Sequence, residues 1–151
     1  MRFAGYAAVF DRVDRGGDVV RRGAFARLPR AVPLLWEHKG AAIGCVEYLR
    51  EDAHGLRVIG RVTDGRAAAL LAGGSGLSFG YRVRGMQGSA PRELTDLELV
   101  EVSLVSLPMQ PLARVHAVET PTPHPKTNAE ALACFTSKTS GCRAGAPTPK
   151  M

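Results

Sequence analysis

The sequence predicts a mainly β domain of α+β character: a compact β-barrel of about six to seven strands with flanking helices, formed by residues 1–118. Three observations carry that expectation. Residues 43–49, 56–62, 77–83 and 97–107 alternate side chains with the two-residue period of a strand. Only residues 64–71 read clearly as a helix. After Val118 the composition changes abruptly, and residues 119–151 are dominated by Pro, Thr, Ser, Ala, Gly and Lys. Such a segment cannot bury enough apolar surface to offset its ordering entropy, so it is expected to be a mostly disordered tail.

The elements follow in order. Residues 3–10 form a first strand, ended by a polar turn at 11–17 that is rich in Asp, Arg and Gly. Within the phrase GDVVRRGAF and just beyond it, residues 24–28 are expected to start a short helix that Pro29 stops. Residues 33–36 make a short apolar strand running into Glu37 and His38, which puts His38 at a strand end. The runs 43–49 and 56–62 flank an acidic, Gly-containing loop and are expected to pair antiparallel. Asp64 can cap the helix that follows, Ala67 to Leu71 are good helix formers, and Gly73 and Gly74 stop it. In 77–83, Leu77, Phe79, Tyr81 and Val83 point one way and Ser78, Gly80 and Arg82 the other. In the last long strand, 97–107, Val100, Val102 and Leu104 are expected on one face, with Glu101, Ser103 and Val105 opposite.

Composition narrows the function classes. A chain of 151 residues, 45% hydrophobic and 23% charged, suits one soluble domain. No apolar run approaches the roughly 18 residues needed to span a bilayer. The opening MRFAGYAAVF is too short and too polar for a signal-peptide core, so export is not expected and the chain is assigned to the cytosol where it is made. Its 3 cysteines, Cys45, Cys134 and Cys142, are odd in number and unrelated in spacing. They are read as free thiols, and neither a metal nor a cofactor is expected. A net charge of +6 raises nucleic acid as a partner, but Arg21, Arg22, Arg27 and Arg30 form the densest basic group without interleaved aromatics. They are read as a solvated face.

For chemistry, a serine hydroxyl needs a nearby base, and the base works best when a third group fixes its tautomer. His38 at a strand end, Ser78 on a strand after a Gly-rich turn, and Glu101 inside an apolar strand are the candidates. Each has a plainer reading. His38 could be a surface polar residue like His54, His116 or His124; Ser78 could be merely small; Glu101 could pair with Arg82 or Arg84. The chain has no GxSxG elbow, since the letters GLSFG at residues 76–80 fall on a strand and not at a strand-to-helix turn, and it has no HExxH, GxxxxGKS or CxxC motif.

Five ordered phrases go further: GDVVRRGAF, WEHKGAAIGCVE, EDAHGLRVIGRV, GLSFGYRV and ELVEVSLVSLPMQPLARV. Together they resemble the prohead serine proteases of tailed phages, a family related to the herpesvirus assemblins. The resemblance implies a β-barrel surrounded by helices, and a protease that cleaves scaffold and major capsid protein inside an assembling procapsid in the bacterial cytoplasm. It also implies self-cleavage and a homodimer. Carried over by residue, it puts the catalytic His on His38, the catalytic Ser on Ser78 and the acid on Glu101. Because assemblins use a second His as third member, Glu98, Asp96 and His116 stay open for that role. The family's P-A-N-P ending reads PMQP here, and Phe79 replaces an Ile. Three rivals remain: a non-catalytic capsid-assembly module, a basic nucleic-acid-binding protein, and a cysteine nucleophile at Cys45 beside His38.

Overall fold

A computed structural model describes residues 1–71 and 74–120. They form eight strands and one helix: β1 Arg2–Val9, β2 Asp18–Val20, β3 Val32–Trp36, β4 Lys39–Glu51, β5 Gly55–Val62, α1 Gly65–Leu71, β6 Gly76–Gln87, β7 Arg92–Val105 and β8 Val115–Glu119. The strands make one sheet, in which β7 pairs β3, then β4, β5, β1 and β8 follow in order. Along its other edge β7 carries β6, antiparallel over nearly its whole length. The short β2 shares the edge used by β3, pairing in parallel with the start of β7 while β3 pairs in parallel with its end.

The sheet curls until its ends meet. Leu77 N donates to Ala113 O at 2.8 Å and Val115 N to Ser75 O at 3.1 Å, joining the start of β6 to the lead-in of β8. Gly5 allows this closure, because a Cβ there would overlap the Arg114 carbonyl oxygen. Inside the barrel lie Phe3, Phe25, Leu34, Val46, Leu56, Val58, Leu77, Leu94, Val102 and Leu104, all buried. Helix α1 contributes buried Ala67 and Leu71 and delivers the chain into β6. Asp64 caps it as expected, accepting Arg66 N at 2.8 Å and Ala67 N at 3.1 Å. Gly74 follows it at φ +83, with its N–H on the Leu71 carbonyl. Among the described residues, no helix is long and apolar enough to cross a membrane.

The barrel and the β4–β5 pairing agree with the sequence reading; other details differ. Residues 24–28 are not helical. Ala24 and Phe25 are buried, Phe25 N donates to Glu51, and Leu97 N takes the Ala24 carbonyl, so tertiary contacts claim the groups a single helical turn would use. Strands β6 and β7 extend well beyond 83 and before 97 as one long hairpin, and β8 is an additional strand that reaches Glu119. The expected tail lies, from residue 121 onward, outside the described residues.

The faces of β7 also need correction. Leu97 and Leu99 are buried, and so are Val102 and Leu104. A strand with unbroken alternation cannot bury residues of both parities on one side. The register shows why: Tyr81 faces Leu99 and Gly80 faces Glu101, which leaves Val100 unopposed in a β-bulge. Val100 is therefore exposed, at 41%, and does not share the face of Val102 and Leu104.

Candidate active site

His38 is placed by a two-residue turn between β3 and β4, with Trp36 opposite Lys39. Glu37 and His38 both have left-handed backbones, φ 49 and 60, the pattern of a type I′ hairpin that normally selects Asn and Gly. For two larger side chains this costs on the order of 1–3 kcal/mol each. The turn is held against β7 by three bonds. Glu37 N donates to Leu104 O at 3.0 Å, Ser106 N donates to Glu37 Oε1 at 2.7 Å, and His38 N donates to Ser103 Oγ at 3.2 Å. The Ser106 contacts also hold the Glu37 carboxyl below its usual range.

Glu101 lies beneath this turn. Its Oε1 is 2.7 Å from His38 Nδ1 and its Oε2 accepts from Ser103 Oγ at 2.6 Å. The carboxylate is nearly buried, with 10% of its side chain exposed against 43% for His38. Space for it comes from the opposite strand. Gly80 faces Glu101, and a Cβ at Gly80 would overlap Glu101 Oε1.

Ser78 stands opposite Ser103 on the β6–β7 hairpin, so both side chains leave the sheet on one face. Ser78 is buried, and together with His38 it lines a cavity of about 160 Å³. Phe79, Tyr81 and Met109 supply apolar wall. Asp18 also lines it, but Arg92 grips its carboxylate from Nε at 2.8 Å and Nη2 at 2.5 Å. Beside the cavity, buried Gln110 acts like a strand partner, accepting Val9 N and donating to Val9 O at 2.6 Å. That side chain anchors the PMQP segment, whose Met109 reaches the cavity.

Ser78, His38 and Glu101 are thus brought to one place, and the alternatives for the acid are not. Glu98 is bound by Arg82 at 3.1 Å and by Arg84, the two arginines named above as plainer partners for Glu101. Asp96 pairs with Arg27 at 2.6 Å. His116 packs against Tyr6, ring centroids 5.7 Å apart, and His54 packs on the same ring. His124 lies outside the described residues. Burial and Glu47 raise the Cys45 thiol above its ordinary range, the reverse of an activated nucleophile. Sequence reasoning gave no role to Ser103, Gly80 or Gln110. The signal for Ser103 was present: Glu-x-Ser on a strand puts two polar groups on one face.

A curled sheet of this topology is also the fold of a viral protease of known structure. The chain aligns with a KSHV protease solved with a hexapeptide phosphonate inhibitor at TM-score 0.54 and 16% identity, covering 94% of this chain and 77% of that one. A second KSHV protease structure aligns at TM-score 0.50 and 15% identity, over 76% and 58% of the two chains. At those identities the likeness is one of fold. Residues 1–127 match the family described as Caudovirus prohead serine protease, and the chain belongs to that family. It is also 38% identical over 73 residues to the prohead protease of Enterobacteria phage HK97, a match covering 44% of this chain and 32% of that protein. The chain thus spans about a third of the length of that relative.

Proposed function

We propose that the chain is a serine endopeptidase of prohead maturation, in which Ser78 is the nucleophile, His38 its general base and Glu101 the group that orients His38. One observation carries this reading: a nearly buried carboxylate sits 2.7 Å from Nδ1 of a histidine that shares a cavity with a buried serine. An ionised carboxylate only accepts, so the proton between them belongs on Nδ1 and the lone pair on Nε2. That nitrogen takes the Ser78 proton as Oγ attacks a peptide carbonyl, and Glu101 stabilises the imidazolium that forms. His38 then protonates the leaving amine, the peptide bond breaks, and water hydrolyses the acyl-enzyme by the same route in reverse.

The substrates proposed are the scaffold and the major capsid protein, with the protease itself as a third, acting in the bacterial cytoplasm inside the assembling procapsid. Family membership supports this, as does the apolar cavity beside Ser78. A homodimer is proposed on the same family basis. The test is co-expression with the cognate major capsid protein, weighing both chains by intact mass for wild type and Ser78→Ala. Truncated capsid protein or self-cleaved protease is expected with wild type alone, the variant losing roughly 10³-fold or more in rate. Equal cutting by both versions overturns the assignment. If neither version cuts yet both bind the capsid protein, the chain is an assembly module.

A further inference from the structure

We infer that Ser103 is a positioning residue for the reaction, the hydroxyl that fixes both the carboxylate and the strained turn on which the base is carried. The inference deepens the reading of Ser78, His38 and Glu101 above and rests on it. Ser103 is fully buried on β7 and is not itself among the residues that line the cavity. Its oxygen accepts the His38 backbone N–H at 3.2 Å, and its hydrogen is given to Glu101 Oε2 at 2.6 Å. Glu101 Oε1 in turn meets His38 Nδ1 at 2.7 Å. Three hydrogen bonds therefore close a ring that leaves His38 by its backbone and returns by its imidazole.

The direction of every bond in that ring follows from one of its members. A backbone N–H can only donate, so Ser103 Oγ must accept there and turn its own proton toward the carboxylate. With Oε2 so occupied, the carboxylate plane is set and Oε1 is presented to the ring nitrogen. The same bond holds the His38 backbone in its left-handed conformation at φ 60, a region that residues other than glycine occupy infrequently. Ser103 thus acts on the base through two routes, orientation of the acid and placement of the turn. An alanine would leave the His38 N–H and Glu101 Oε2 without their present partner and let the carboxylate rotate.

The test is a double-mutant cycle on the full chain, read by covalent labelling with a fluorophosphonate. In that reaction the Ser78 Oγ–P bond forms, the P–F bond breaks, fluoride leaves, and the serine proton passes to His38. Ser103→Ala is expected to slow labelling about tenfold in the wild-type background and by clearly less in a Glu101→Ala background, where only the route through the turn remains. Labelling of Ser103→Ala at the wild-type rate, or an equal further loss in the double variant, overturns the inference. A second readout needs no activity. Proton NMR of wild type and Ser78→Ala should show a low-field imidazole N–H, which disappears in Ser103→Ala while the amide spectrum stays that of a folded protein. Its persistence in Ser103→Ala overturns the inference. Failure of wild type to label at Ser78 refutes the nucleophile assignment instead, and the NMR comparison still decides the geometry.

Discussion

Strand β7 carries acids on both sides of the bulge at Val100, and the two halves use them differently. Before the bulge, Glu93, Asp96 and Glu98 each meet an arginine: Arg21 at 2.5 Å, Arg27 at 2.6 Å, and Arg82 with Arg84. Their arginine partners are well exposed, so solvent screens each pair and it adds little to stability. Arginine hydrogen bonds hold Glu93 and Glu98 below the usual carboxylate range. After the bulge, Glu101 is nearly buried, and its partners are an imidazole and a hydroxyl. An arginine holds its proton throughout the accessible pH range and can only neutralise a carboxylate. A histidine can pass a proton on. The same residue type is thus a surface charge in one half and, in the function proposed here, the group that orients a proton-transferring histidine in the other, and the partner makes the difference.

The most severe way to break this contrast is to neutralise one acid from each half. Glu101→Gln keeps the shape but can present an amide N–H to His38, which disfavours the Nδ1–H tautomer. Capsid-protein cleavage should fall by roughly 10⁴-fold, by analogy with the acid of other triads. Glu98→Gln should leave cleavage within about a factor of two, because only exposed ion pairs are lost. Equal effects of the two substitutions, measured as initial rates, would mean that burial and partner do not distinguish them.

A smaller effect is expected from the strand opposite. Gly80→Ala adds a methyl group where Glu101 Oε1 now lies. The carboxylate is tied at both oxygens and cannot move without breaking a bond, so fluorophosphonate labelling should slow by about ten- to a hundredfold, with a stability loss of about 1–3 kcal/mol by thermal melting. Gly85→Ala on the same strand serves as the control, since its nearest neighbours, the Thr95 hydroxyl and the Asp96 Cβ, lie at 3.1 and 3.2 Å and outside the ring. Wild-type labelling by Gly80→Ala would show that the carboxylate need not sit where it does.

The same bulge explains how far the sequence could be read. Alternation in 77–83 gave the correct faces near Ser78, and Asp64 announced its helix, because both depend on local chemistry. Glu101 and Ser103 were placed on one face because they lie on the same side of the irregularity. Val100 was misplaced because LELVEV is apolar at positions of both parities, and a bulge depends on the strand across from it, where Gly80 gives Glu101 its space. Strand β8 was missed because HAVE is exposed along the whole segment and so shows no buried face. The supposed helix at 24–28 gave way to Glu51 and Leu97, residues far along the chain. What was legible was local, and what was not was decided by a partner strand.

The gentlest probe is Glu37, the neighbour of His38 in the strained turn. Its carboxylate accepts Ser106 N at 2.7 Å, a bond that ties the turn to the chain just past β7. Its pKa is lowered from 4.5, first by the Ser106 backbone N–H and then by the Ser106 side chain, with desolvation opposing. A carboxyl whose pKa falls on folding stabilises the fold above its unfolded pKa, and that contribution is lost as pH drops through the folded value. Glu37→Gln should therefore lower stability near pH 7 by about 1 kcal/mol or less, allowing for the solvent that screens this half-exposed group. Below the folded value, itself under the ordinary glutamate range, the difference from wild type should vanish, because the wild-type carboxyl is then neutral like the amide. Thermal melts of both proteins across that interval test the sign: a gap that widens on acidification would mean that the Ser106 bond does not favour the charged form, and that the backbone bonds of Glu37 and His38 alone hold the turn.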